Sequence, residues 1–184
     1  RVPPYASAGI TTAMTLKNME GFNVSSVQHN SSDMLHWYIS SARLAYADRF
    51  QYIADPKFAD VPWNGLISDS YTAARKQSIG KYTTQVFNPG NPWKEEGRYP
   101  DTTLEASKPA ADNGTTHLCV IDSSGNAVSI TSTIMSGFGS GIIPKGTGVV
   151  MNNGMMWYDP VPNRINSIAP GKLPLNNMTP ALVL

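Results

Sequence analysis

The residues best placed to do chemistry lie at Asn113-Gly114-Thr115-Thr116-His117, where an irregular stretch gives way to an apolar, β-branched run. A threonine hydroxyl is a weak nucleophile and needs a base beside it. His117 stands two residues along a predicted strand, on the same face as Thr115, and is one candidate base. By itself, a Gly-Thr pair at a strand entry is an ordinary loop-to-strand junction. A second hydroxyl, Thr133, lies across a predicted hairpin. A loop made of Ser124-Gly125-Asn126 pairs Ser123 with Ala127, sets Thr115 opposite Met135, and leaves Thr133 diagonally across on the same face. A two- or four-residue loop would send Thr133 to the other face.

Several elements must position these groups. Residues 7–21 read as a helix with Ser7 as N-cap and Gly21 at its end. A stronger helix is expected over 32–49, with Asp33 in its first turn. Its stripe of Leu35, Ile39, Ala42 and Tyr46, widened by Met34, Tyr38 and Ala45, predicts the core-facing side. Asp55-Pro56 and Val61-Pro62 punctuate a loop, and Ser68-Asp69-Ser70 opens a short helix to about residue 78. From 80 to 114 no period holds, so that stretch reads as a linker or a functional loop. Strands are predicted at 116–122, 127–133 and 147–152, with turn chemistry at Ser123-Ser124-Gly125-Asn126. Helices followed by strands point to an α+β arrangement.

Composition removes several function classes. The 184 residues carry 15% charged side chains, against roughly 25% in ordinary soluble domains. A net charge of +1 lacks the basic footprint of a nucleic-acid binder. No apolar run approaches the roughly 18 residues of a membrane span. One cysteine excludes an internal disulfide, and three scattered histidines give no metal-ligand spacing. Cys119, inside a strand, is expected to be a small buried hydrophobe. Four glycosylation-type sequons, beginning at Asn23, Asn30, Asn113 and Asn177, are chance products of an Asn- and Ser-rich chain. The chain opens at Arg1-Val2-Pro3-Pro4 and stops within an apparent strand at Ala181-Leu182-Val183-Leu184, so a fragment is expected.

Spaced motifs then raise the value of Thr115. Thr115-Thr116-His117, Asp122 with Gly125-Asn126-Ala127-Val128, Thr131, Thr133 and Phe138-Gly139-Ser140-Gly141 occur in order. Asn152-Asn153, Pro170-Gly171-Lys172-Leu173-Pro174-Leu175 and Met178-Thr179-Pro180 follow. Upstream stand Pro3-Pro4, Ser7-Ala8-Gly9 and Ala42-Arg43-Leu44-Ala45-Tyr46-Ala47-Asp48-Arg49. Together these resemble the γ-glutamyltransferase family over essentially the whole chain. The resemblance implies an N-terminal-nucleophile αββα sandwich, of which this chain supplies part. Residues 1–114 would be the C-terminal part of the large subunit, ending in a processing loop, and 115–184 the N-terminal part of the small subunit.

The family's precursor cleaves itself before its catalytic threonine, which here implies a cut at Gly114–Thr115. An α-amino group has a pKa of about 8 in model compounds, so the freed terminus of Thr115 would suit the role of base at neutral pH. His117 then becomes a structural neighbour, and Thr133 is implied to hydrogen-bond the nucleophile. The chemistry needs no cofactor and no metal. Its partners would be a small-molecule amide and the remaining segments of the same precursor, with no nucleic acid and no membrane span. The family is often periplasmic or extracellular, and this chain carries no signal for either.

Departures from the family pattern bear on the substrate. Met135 stands where the family has Asn, Gly154 where it has Gln, Met156-Trp157 where it has two acids, and Asn176-Asn177 where it has a serine pair. A buried ammonium without a partner is costly, and Asp159 is the acid that could restore one. The apolar Met155-Met156-Trp157-Tyr158 run resembles the cephalosporin-acylase-like branch and implies a greasier acyl pocket; it can also be read as a hydrophobic plug. The family's carboxylate-gripping arginine is expected upstream of Arg1 and its oxyanion glycines downstream of Leu184, so this chain alone would be a poor enzyme. Three readings stay open: γ-glutamyl transfer or hydrolysis, an acylase for glutaryl-type amides, and a non-catalytic binding module.

Overall fold

A computed structural model of the chain describes residues 8–82, 86–101, 103–107 and 115–182. Five helices precede a two-stranded antiparallel sheet among these residues, so the observed arrangement is α+β. The helices are α1 (Gly9–Glu20), α2 (Ser32–Tyr52), α3 (Trp63–Ile67), α4 (Asp69–Lys76) and α5 (Trp93–Glu96). The strands are β1 (Thr115–Ile121) and β2 (Ala127–Thr133).

α1 begins with Ala8 at its N-cap, not Ser7, which lies outside the described residues. Its Thr12 and Thr15 hydroxyls donate back to the carbonyls of Ala8 and Thr11. α2 is capped by the Ser31 hydroxyl, which accepts from Met34 N–H at 3.3 Å. α4 is capped in the same way by Ser68, which accepts from Tyr71 N–H at 3.3 Å. Short α3 and α5 carry too few residues to show a period, and sequence patterning missed both.

The face of α2 that packs inward differs from the apolar stripe. Leu35, Tyr38, Ile39 and Tyr46 are 43%, 51%, 48% and 41% exposed, whereas Ser40, Ser41, Leu44, Ala45, Asp48 and Arg49 are buried. The reason is the partner surface. α1 presents buried Thr11, Thr15 and Asn18, and Asn18 Nδ2 donates to Ser41 O while Arg49 Nη1 donates to Thr11 Oγ1. Small and polar residues let the two helices approach. Asn18 Nδ2 and Arg49 Nη1 find partners across the contact, whereas Asn18 Oδ1 and the Ser40 and Ser41 hydroxyls are buried without one among the described residues.

The apolar core joins Met14, Ala45, Ile53, Val61, Leu66 and Tyr71 with Leu175 from the C-terminal segment. Each fully buried large side chain there contributes about 1.5–3 kcal/mol. Leu175 therefore fastens residues 172–178 to the helices. A second fastening is Asp55, whose Oδ2 accepts from Leu173 N–H at 2.8 Å. The predicted strand over 147–152 does not form. Met151 instead donates its N–H to Ile142 O, and its own carbonyl accepts from Ser140 N–H. Among the described residues no helix is long and apolar enough to cross a membrane.

Candidate functional site

β1 and β2 pair so that Thr115 stands directly opposite Thr133, with His117 opposite Thr131 and Cys119 opposite Ser129. The hairpin loop is Ser123-Ser124-Gly125, one residue earlier than turn composition predicts, because Asp122 closes it. Asp122 Oδ1 accepts from Ser124 N–H and Asn126 N–H, each at 2.9 Å, and Oδ2 accepts from Asn126 Nδ2 at 2.8 Å. The Asn126 side-chain amide, then its backbone N–H, holds the Asp122 carboxyl below its ordinary value. Gly125, at φ +83°, supplies the left-handed residue that ends the loop. The slip changes the partner of Thr115 from Met135 to Thr133 and keeps both threonines on one face.

The two hydroxyls meet. Thr115 Oγ1 donates to Thr133 Oγ1 at 3.2 Å, and Thr133 Oγ1 also accepts from Met135 N–H at 2.9 Å. Met135 is fully buried with φ +77°, a backbone conformation a non-glycine residue adopts only under constraint. At the end of β2 the Met135 N–H turns back onto the Thr133 hydroxyl. Met135 therefore acts here through its backbone. Gly114, on the other side of Thr115, lies outside the described residues.

A polar ladder continues along the same face. His117 Nδ1 and Thr131 Oγ1 are 2.8 Å apart, and His117 Nε2 lies 3.3 Å from both Cys119 Sγ and Ser129 Oγ. Cys119 is exposed, contrary to the expectation of a buried hydrophobe, because nothing among the described residues covers either face of β1. His117 has Thr131 and Cys119 as partners, which fits a structural role.

The segment after β2 is tied to the apolar run. Ser136 N–H donates to Asn153 Oδ1 at 3.1 Å, and Asn153 Nδ2 donates to Ser136 Oγ at 2.6 Å. The same Nδ2 lies 2.9 Å from Met156 Sδ, which places Met156 against the exit of β2. Gly139, at φ +54°, approaches so closely that a Cβ there would sit 2.2 Å from Met151 O. Gly154–Trp157 forms a single 3-10 turn. Trp157 O accepts from Asn166 Nδ2 at 2.6 Å, while its indole Nε1 is buried with no hydrogen-bond partner among the described residues.

Asp159 is 3% exposed, and its two carboxylate oxygens accept from Arg164 Nη1 at 3.2 and 3.0 Å. Asp159 Oδ1 also accepts from Val161 N–H at 2.9 Å. The acid expected to greet a substrate ammonium is thus engaged by a guanidinium of its own loop. Asn176 and Asn177 are held from α2: Arg49 Nη2 donates to Asn176 O and, at 3.4 Å, to Asn177 Oδ1. Arg49 is fully buried, and burial brings its guanidinium down to about 10. Sequence reading took Arg49 only as part of a motif block. A basic residue in the last turn of a helix is so common that it carried no further signal.

Two threonine hydroxyls that meet across a hairpin at the head of a strand form an arrangement suited to acyl transfer. The Gamma-glutamyltranspeptidase family model matches residues 1–184, and the chain belongs to that family. It is 36% identical over 183 residues to the glutathione hydrolase proenzyme of Bacillus subtilis subsp. natto, covering 98% of this chain and 31% of the relative. It is 35% identical over 182 residues to the acylase ACY 1 proenzyme of Pseudomonas sp. (strain SE83), covering 99% and 30%. The cephalosporin acylase structure from Bacillus halodurans superposes with a TM-score of 0.76 at 28% identity, covering 97% of this chain and 28% of that one. The chain therefore spans about 31% of the length of the curated relatives it matches.

Proposed function

We propose that the full protein is a self-cleaving amide acyltransferase or hydrolase that works through an acyl-Thr115 ester. The observation that carries this is the 3.2 Å contact between the Thr115 and Thr133 hydroxyls at the head of β1, in a chain of this family. In the precursor, Thr115 Oγ attacks the Gly114 carbonyl carbon. The C–N bond to Thr115 breaks, and water hydrolyses the resulting ester. The freed α-amino group then serves as the base for turnover. It takes the hydroxyl proton as Thr115 Oγ attacks a substrate amide, and passes it to the departing amine. Water or an acceptor amine releases the acyl group. Residues 1–114 become part of the large subunit and 115–184 part of the small one, with β1 and β2 inside an αββα sandwich completed by other segments of the precursor.

The acyl pocket in this reading includes Trp157, Asn176 and Asn177, while the buried Met135 braces Thr133 through its backbone N–H. A second reading, an acylase for glutaryl-type amides, is favoured by Asp159: its carboxylate is bound by Arg164, so it is poorly available to a γ-glutamyl ammonium. A glutaryl donor has the same chain without that ammonium and avoids its desolvation.

The test uses the full-length precursor. N-terminal sequencing of the smaller product is expected to begin Thr115-Thr116-His117-Leu118-Cys119, and Thr115→Ala is expected to abolish cleavage and turnover. A stable uncut chain without activity would support a binding module and overturn the proposal. Comparing kcat/KM on glutaryl and γ-glutamyl p-nitroanilides decides between the donors, and a clear γ-glutamyl preference would overturn the acylase reading.

A further inference from the structure

Asn166, in the C-terminal segment, is fully engaged by its neighbours. It is 2% exposed, and all four of its polar atoms are bonded. Its N–H donates to Ser107 Oγ at 3.0 Å, and its carbonyl accepts from Asp159 N–H at 2.9 Å. Its side chain spans two segments: Nδ2 donates to Trp157 O at 2.6 Å, and Oδ1 accepts from Leu175 N–H at 3.1 Å. A carbonyl on one side and an N–H on the other demand a donor and an acceptor fixed a short distance apart. A carboxamide of this length supplies both, whereas Asp lacks the donor and Leu lacks both.

The two segments are the ones assigned above to the acyl pocket. Trp157 ends the 3-10 turn that begins at Gly154, and Leu175 immediately precedes Asn176-Asn177. Leu175 is anchored in the helical core and Asn176-Asn177 on Arg49, so the far side of the bridge is rigid. The near side has a second tie, from Tyr158 OH to Lys172 O. Upstream, Ser107 N–H donates to Phe50 O at 2.8 Å, which seats Asn166 against the end of α2.

We propose that Asn166 is a positioning residue: its carboxamide sets the spacing of Trp157 from Asn176-Asn177, and thereby the affinity for the acyl group, without touching the donor. The inference rests on the pocket assigned under the proposed function. Its effect belongs in KM more than in self-cleavage or intrinsic Thr115 reactivity, because the Thr115–Thr133–Met135 contacts involve none of its partners.

The experiment compares wild type, Asn166→Asp and Asn166→Ser in the full-length precursor. It reads self-cleavage by mass, p-nitrophenyl acetate hydrolysis with a Thr115→Ala blank, and kcat and KM on glutaryl p-nitroanilide. Asn166→Asp sets an oxygen against Trp157 O and keeps the acceptor for Leu175 N–H. Asn166→Ser removes both side-chain ties without adding charge and serves if the first variant does not fold. Cleavage and acetate-ester hydrolysis are expected to stay close to wild type. KM for the glutaryl donor is expected to rise by about 10- to 100-fold, the scale of a misplaced binding group. An unchanged KM in a folded variant would overturn the inference. So would a parallel fall in all three readouts, which would mark Asn166 as only structural. Wild type that hydrolyses the ester but neither glutaryl nor γ-glutamyl anilide would overturn the pocket assignment, and the inference with it.

Discussion

Replacing Thr133 with Val separates the two jobs of one oxygen. Valine keeps the β-branched shape of the strand and deletes only the hydroxyl. Thr133 Oγ1 accepts from Thr115 Oγ1 at 3.2 Å and from Met135 N–H at 2.9 Å, so both donors lose their acceptor. The Thr115 hydroxyl is exposed in this chain and can turn to water, so its loss should be felt in catalysis. One hydrogen bond aligning the attacking oxygen is worth about 1–2 kcal/mol, or a fall in kcat/KM of about 5- to 30-fold. The Met135 N–H cannot turn to water, since Met135 is fully buried. Leaving it unsatisfied costs about 1–3 kcal/mol of stability. The expected signature is thus a lowered midpoint of thermal unfolding together with reduced turnover. Thr133→Ser, which keeps the oxygen, should restore most of both. Full-length enzyme assayed on a p-nitroanilide donor, with calorimetry on the same samples, reads both effects. If Thr133→Val turned over like wild type, or if Thr133→Ser fell as far as Thr133→Val, the hydroxyl would not be aligning Thr115.

Other perturbations test the scaffold. Gly139→Ala should lower the unfolding midpoint by more than the roughly 1 kcal/mol of a simple glycine replacement, because φ is +54° and the new Cβ would meet Met151 O at 2.2 Å. A calorimetric midpoint equal to wild type would show that the Gly139 loop relaxes freely. Asp122, held below its ordinary value of 3.8, contributes hairpin stability that is present above that value and lost as pH falls through the lowered one. Amide protection at Ser124 and Asn126, taken relative to intrinsic exchange at each pH, should therefore fall below about pH 4, and not in Asp122→Asn. Asp159→Asn should cost about 3 kcal/mol of stability by breaking a pair whose side chains are 2% and 16% exposed. It should leave the ratio of γ-glutamyl to glutaryl kcat/KM unchanged; a selective loss on γ-glutamyl donors would instead make Asp159 a substrate contact.

What could be read from the sequence was local. The bounds of β2 and the face shared by Thr115 and Thr133 follow from alternation and from an odd-numbered loop. The one-residue slip of that loop was hidden because Ser, Gly and Asn suit either placement, and only the three bonds to the Asp122 carboxylate choose. The inward face of α2 was misread because hydrophobic periodicity assumes an apolar partner. α1 offers Thr11, Thr15 and Asn18, so Ser40, Ser41 and Arg49 went inside, and Leu35, Ile39 and Tyr46 stayed out. The glycines at 146 and 148, both at positive φ, break the strand that the composition of 147–152 predicts.

The candidate site divides along the same line. Thr115 and Thr133 were legible because one hairpin carries both. Asn176-Asn177 was legible only as a pair of polar residues. Its position depends on Arg49, 127 residues before Asn176 in the chain, and no pattern in either segment encodes that contact. Asp159 shows the same limit at short range. Counting along the chain places an acid two residues past Trp157 but cannot say which cation claims it. Arg164, five residues on, contacts both carboxylate oxygens, and burial excludes the water that would otherwise screen the pair. A substrate ammonium would have to displace a guanidinium already bonded to both oxygens, and would leave that guanidinium with the more exposed Glu105, 3.7 Å away. Exchange on those terms is unfavourable, so the amino-free acyl donor proposed above rests on the Arg164 contact more directly than on Met156 and Trp157.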